Sequence, residues 1–189
     1  MDESVKQAMR KWPNVPDVYG WLRLDARGRW HLRNGPVSNP KLIDFIGRNY
    51  LRLDDGSYVF QNGPQRVHVA LEATPWHVHL REGAALAVVD HTGQEWAQVN
   101  AVLLSPEGQV MFRQDGEVGL LRDQDLVLLG PHWRSPNGEP LNDEAVLAAL
   151  TQPHELRLAW SGQLLPVVGL DARPWPEQLN FVAEAVPPS

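Results

Sequence analysis

WHLRNGPVSN (residues 30–39) and WRSPNGEPLN (residues 133–142) share the pattern W-x3-N-G-x3-N. Trp30, Asn34, Gly35 and Asn39 each stand 103 residues before Trp133, Asn137, Gly138 and Asn142. In both stretches the last Asn directly precedes an apolar stripe of helical spacing. An Asn side chain there accepts a hydrogen bond from a free N–H of the first turn, so both are read as N-caps. Pro40 follows the first, at a position where its missing N–H costs nothing. Leu42, Ile43, Phe45, Ile46 and Tyr50 then form the stripe of a helix that runs to about Asn49. After Asn142, Asp143 and Glu144 suit the positive end of a second helix, whose stripe is Val146, Leu147 and Leu150 and which Pro153 stops.

Working outward, a second block agrees at an offset of 99 residues: Gly63, Val69, Leu71, Ala73, Pro75 and Trp76 against Gly162, Val168, Leu170, Ala172, Pro174 and Trp175. Two blocks in the same order predict an α+β fold made of two diverged strand–helix–strand repeats. The expected segments are an N-terminal helix and linker (1–18), module 1 (19–80), a β-rich connection (81–121), module 2 (122–181) and a tail (182–189) frayed from Ala185 onward. One amphipathic helix and a few strands cannot close a core alone, so the modules are expected to share one through the connection.

Between the helices the hydrophobic period drops to two. Asp55-Gly56, Asn62-Gly63, Thr92-Gly93, Glu107-Gly108 and Asp115-Gly116 supply the positive φ that hairpins need. Residues 50–130 therefore read as successive, mainly antiparallel strands. Of the eight tryptophans most are expected in the core, with one or two lining an apolar pocket where the modules meet.

Composition narrows the function classes. The absence of cysteine removes disulfides, thiolate zinc sites and cysteine nucleophiles together. Residues 1–94 carry 12 Lys/Arg against 10 Asp/Glu, and residues 95–189 carry 5 against 13. No basic stripe emerges, so nucleic acid is not an expected partner. The charged start MDESVKQAMRKWPNVP has no signal-peptide core, and the apolar run from Ala84 to Val89 is far short of a membrane span. These features point to a cytoplasmic protein with no membrane partner. The signatures GxGxxG, GxxxxGK[ST], HExxH and GxSxG are missing.

One constellation could carry chemistry. In Arg66-Val67-His68-Val69-Ala70-Leu71-Glu72, alternation sets His68 and Glu72 opposite the apolar face; after Ala73-Thr74-Pro75, His77 and His79 take the same side. If these strands paired as a hairpin, His68 would face His79 with His77 diagonal, within reach of a shared metal that Glu72 could assist. The plainer expectation is surface histidines with no metal and no cofactor. His31 and His132, beside Trp30 and Trp133, read as packing accessories. His91 reads as a turn residue and His154 as a helix-end cation. Asp54 and Asp55 read as turn formers.

GRWHLRNGPV (28–37), DDGSYVFQNGPQRVHVALEATPWHV (54–78), QVMFRQDGEV (109–118) and LPVVGLDARPW (165–175) together resemble the bacterial family catalogued as domain of unknown function 1285, or a sister family of it. That resemblance implies an α+β fold with repeated motifs and a ligand-sensing or signalling role. It carries no catalytic residues across. The expectation is an uncharacterised bacterial ligand-binding or interaction protein whose partner is a small molecule or a protein. The alternatives are a metal-dependent hydrolase-like enzyme using the histidine set, and a structural or assembly partner.

Overall fold

The computed structural model describes residues 1–33, 35–83 and 85–187. Asn34 of the first motif, Ala84 of the apolar run, and Pro188 and Ser189 of the tail lie outside the described residues. The chain divides into two compact units: Met1–Pro75, His91–Gly93 and Trp175–Ser189 form one, Trp76–Asp90 and Gln94–Pro174 the other.

The first unit opens with α1 (Glu3–Lys11), β1 (Val18–Leu24), β2 (Trp30–Leu32) and β3 (Gly35–Pro36). It continues through α2 (Pro40–Arg48), β4 (Tyr50–Arg52), β5 (Tyr58–Asn62) and β6 (Gln65–Leu71). The six strands form one sheet in the order β3-β2-β1-β6-β5-β4. Asn39 caps α2 by accepting from the Lys41 N–H at 3.0 Å, as its place in the sequence predicts. The chain returns to this unit as α5 (Trp175–Leu179). The tail then adds three ties: Phe181 is buried, the Val182 N–H donates to the Gly56 carbonyl, and the Leu71 N–H donates to the Ala183 carbonyl.

The second unit holds β7 (Trp76–Arg81), β8 (Ala87–Asp90), β9 (Glu95–Trp96), β10 (Ala101–Leu104), β11 (Val110–Gln114) and β12 (Glu117–Leu121). It is completed by α3 (Leu126–Leu129), β13 (Trp133–Arg134), α4 (Asp143–Ala149), β14 (Arg157–Trp160) and β15 (Gln163–Gly169). Its nine strands run β13-β14-β15-β10-β11-β12-β7-β8-β9. Asn142 caps α4 from Ala145 N–H at 2.9 Å. Val146 and Leu150 pack on the core as their spacing predicts, but Leu147 is 67% exposed.

Both sheets are mixed, which corrects the expectation of a mainly antiparallel arrangement. β6 runs parallel to β1, β15 parallel to β10, and β12 parallel to β7. β6 and β7, read as a hairpin, lie in different sheets because β6 already has β1 on one side and β5 on the other. The tryptophan motif does not mark equivalent strands either. Trp30 pairs with Leu24 beside β1, whereas Trp133 pairs with Leu158 on an edge strand. Trp76 opens a strand and Trp175 a helix. What the sheets have in common is the parallel strand contributed by a later hairpin.

Four of the tight turns follow a pattern the Asn-Gly reading missed. In Asp25-x-x-Gly28, Asp90-x-x-Gly93, Ser105-x-x-Gly108 and Ser135-x-x-Gly138, the first residue's N–H donates to the carbonyl four residues on. Its side chain accepts from N–H groups further along the turn. The glycine closes each turn at φ 75°, 88°, 83° and 86° respectively. This is the three-residue hairpin loop with a glycine bulge, held by an Asx- or Ser-type side-chain bond.

A different glycine shapes the first sheet. Val18 pairs with Val67 and Leu22 with Val69, so four steps along β1 match two along β6. Gly20, at φ 69°, takes up the excess. A bulge breaks the alternation and re-aims the side chains beside it. Trp21 accordingly leaves the core and is 48% exposed, while Trp30, Trp96, Trp133 and Trp160 are buried as expected.

Two outcomes follow for stability. Asn39→Ala and Asn142→Ala should each lower unfolding free energy by about 0.5–2 kcal/mol in urea titrations, with unchanged slope. Gly20→Ala meets no atom within 4 Å of its new Cβ, yet should cost about 1–2 kcal/mol through left-handed backbone strain alone.

Candidate functional site

The histidine set is not brought together. His68 and Glu72 belong to the first unit, and His77 and His79 to the second. His68 stands opposite Val59 and His79 opposite Val89, which overturns the pairing read from the sequence. Among the described residues, no group of three His, Asp or Glu side chains is placed to hold a metal ion.

The surface assignment is corrected as well, because His68 and His77 are both 6% exposed. The His68 ring stacks on Tyr19 with centroids 4.2 Å apart, and its Nε2 lies 3.0 Å from Asp17 Oδ2. Nδ1 of His68 is buried without a hydrogen-bond partner. Glu72 accepts from the Ala26 N–H at 3.1 Å and forms an ion pair with Arg23. This ties the end of β6 to the first hairpin.

Asp25 is a buried carboxylate that sequence reasoning left unmarked. It accepts from the Arg27 and Arg29 N–H groups, from Arg29 Nε at 2.8 Å, and meets His31 Nε2 at 2.9 Å. Burial by itself raises its pKa. The Arg29 and Arg27 backbone bonds and the His31 and Arg29 side chains outweigh that and hold it far below the ordinary carboxylate range. Its acceptor capacity is used within its own hairpin, so it clamps a turn rather than serving a substrate. The sequence signal for it was the x-x-Gly that follows.

Among the described residues, two clefts have ligand dimensions: one of about 450 Å³ in the second unit, beside Leu104, Leu150 and Pro153, and a more apolar one in the first unit, between α2 and the sheet. The latter is a cleft of about 460 Å³. Leu42, Phe45 and Ile46 form its helical wall; Val18, Trp21, Leu22 and Leu32 come from β1 and β2, and Phe60 and Val67 from β5 and β6. Each wall has a local cause. The Asn39 cap and Pro40 start α2 so that its apolar stripe meets the sheet. Phe45 meets Phe60 edge-to-face at 5.5 Å. The Gly20 bulge puts Val18, Trp21 and Leu22 on one wall, which strict alternation forbids. A tryptophan at an apolar pocket was expected, but Trp21 does this within one unit.

The remaining lining groups are two amides, Asn62 and Gln65. They are directly paired residues flanking the Gly63-Pro64 turn, so they stand side by side at one end of the cleft. Among the described residues, no charged side chain lines the cleft. The Arg33 guanidinium lies 4.7 Å from the Trp21 ring centroid but does not line the cleft.

In the second unit, burial lowers the His79 pKa below 6.5, Arg122 and Arg81 add to the effect, and Asp125 and Asp90 oppose it. A histidine with a lowered folded value binds its proton better when unfolded. Its contribution to stability is therefore complete above pH 6.5 and is lost as pH falls from there towards the folded pKa. NMR titration should give a His79 midpoint below 6.5, and His79→Gln should flatten the acid side of the stability profile.

Comparison with known proteins identifies the fold and family. A DUF1285 family protein from Silicibacter pomeroyi DSS-3 superposes with a TM-score of 0.57 at 14% identity, covering 85% of this chain and 86% of that one. A second DUF1285 family protein, from Shewanella baltica OS155, gives a TM-score of 0.44 at 18% identity over 55% of this chain and 84% of that one. No curated protein matches the chain. A family model named DUF2944, described as "Protein of unknown function (DUF2946)", matches residues 1–186. The chain belongs to that family, and its fold is DUF1285-like.

Proposed function

We propose that this is a cytoplasmic, non-enzymatic binding protein whose first unit takes a small, mostly apolar molecule in the cleft between α2 and the sheet. The observation that carries the reading is the cleft's lining: nine apolar residues and two amides around about 460 Å³. Pockets for small molecules fall at roughly 300–1,000 Å³ and combine apolar walls with a few polar groups that fix orientation. At roughly 30 Å³ per group of water size, the volume suits a ligand of about fifteen non-hydrogen atoms. The exposed ring of Trp21 gives such a ligand a flat surface to pack on and reports its arrival by fluorescence.

The hydrolase-like alternative loses its motivation, since its residues are divided between two sheets. A sensory or signalling role is the natural use of a binding module without catalytic groups, and we propose it as the context of the same site.

The test uses the neutral fluorescent probe N-phenyl-1-naphthylamine. It should bind the parent protein saturably, and Leu42→Trp, which fills the cleft from the helical side, should weaken it at least tenfold while the thermal midpoint stays within a few degrees. Absence of saturable binding, or equal binding to the filled variant, would overturn the reading.

A further inference from the structure

We infer that the cleft selects an uncharged ligand with a hydrogen-bonding head that both donates and accepts, such as an alcohol or carboxamide, and rejects carboxylates and amines of the same skeleton. The inference rests on the binding reading above and names the chemical class for that same site.

It starts from the turn that ends the cleft. Asn62 and Gln65 are paired across the two-residue turn, with Gly63 at φ 58° and Pro64 fixing the rest of the backbone. Alternation along β5 puts Asn62 on the side of Phe60, and alternation along β6 puts Gln65 on the side of Val67. All four residues line the cleft. Directly opposed side chains in a sheet have Cβ atoms about 5 Å apart, so the two amides can address one ligand group together. The Gln65 amide nitrogen donates to the Pro16 carbonyl in a long, exposed bond of 3.4 Å, which leaves its amide oxygen and second N–H for a ligand.

The chemistry of an amide pair sets the selection. Each amide offers donors and an acceptor and carries no net charge. A hydroxyl or carboxamide head can satisfy both senses at once. A carboxylate can only accept, and an ammonium can only donate. At this open end, where Asn62 is exposed, either ion would exchange part of its hydration for amide dipoles without a counter-charge, and even partial desolvation costs an unpaired ion more than a dipole. The cations next to lining residues in sequence, Arg23, Arg33, Lys41 and Arg66, are not themselves lining residues; Arg33 stands over the Trp21 ring instead.

The experiment is displacement of bound N-phenyl-1-naphthylamine at pH 7.5 by octanamide, octan-1-ol, octanoate and octylammonium, four heads on one tail. Octanamide and octan-1-ol should displace the probe at least tenfold more effectively than either ion. Gln65→Lys should reverse the order for one of them, making octanoate the better competitor. That is a gain a misfolded variant would not produce. Octanoate competing as well as octanamide in the parent, or an unchanged order in Gln65→Lys, would overturn the inference while leaving the cleft a binding site. Failure of the probe itself to bind would instead remove the reading on which the inference rests.

Discussion

The position of α2 leaves part of the first unit's six-stranded sheet uncovered. Laid flat at about 4.8 Å per strand, six strands would span roughly 25–30 Å, but Trp30 on β2 and Tyr50 on β4 touch, so the first unit's sheet is curled. α2 has nine residues, so it is about 13 Å long and some 10 Å across. The aromatic end is sealed by other means: Trp30 and Tyr50 meet edge-to-face at 5.2 Å, Tyr50 lies against Tyr58, and the His91 ring completes the group. At the other end only the half-buried Leu42 and Phe45 reach down, and the sheet surface formed by Val18, Leu22 and Val67 is left with a cleft above it. The proposed site is thus the part of the sheet's surface that α2 leaves uncovered, framed by the bulge at Gly20.

Local chemistry was legible in the sequence. Both Asn caps are where a side-chain acceptor before an apolar stripe must be, and the turn glycines all have positive φ. These features depend on a few adjacent residues. Strand partnership does not. Nothing in VHVALE and WHVHL states that the edges of β6 are taken by β1, about fifty residues earlier, and by β5. Ala73-Thr74-Pro75 resembles a hairpin loop but serves as a crossing, with Thr74 buried and the Pro75 carbonyl accepting from Tyr50 Oη.

The histidines illustrate the same boundary. Their shared parity along two strands was real, yet parity sets a face and not a sheet. His68 is buried by stacking on Tyr19 and paired with Asp17, a residue whose role no motif announces. The tryptophan motif misled for a related reason: Trp30 and Trp133 precede similarly capped helices, but one sits beside the first strand of its sheet and the other on an edge. The cleft was half legible. The stripe of α2 was evident, whereas the opposite wall needed the register shift in β1, which only the pairing with β6 reveals.

The most direct measurement is a set of intermolecular nuclear Overhauser effects between octanamide and the protein's methyl groups. The account predicts cross-peaks to Val18, Leu42, Ile46 and Val67, from the two opposing walls of one cleft. Cross-peaks confined to the exposed methyls of Val127, Leu147 or Leu164 would contradict it, because they would place the ligand on bare apolar surface instead.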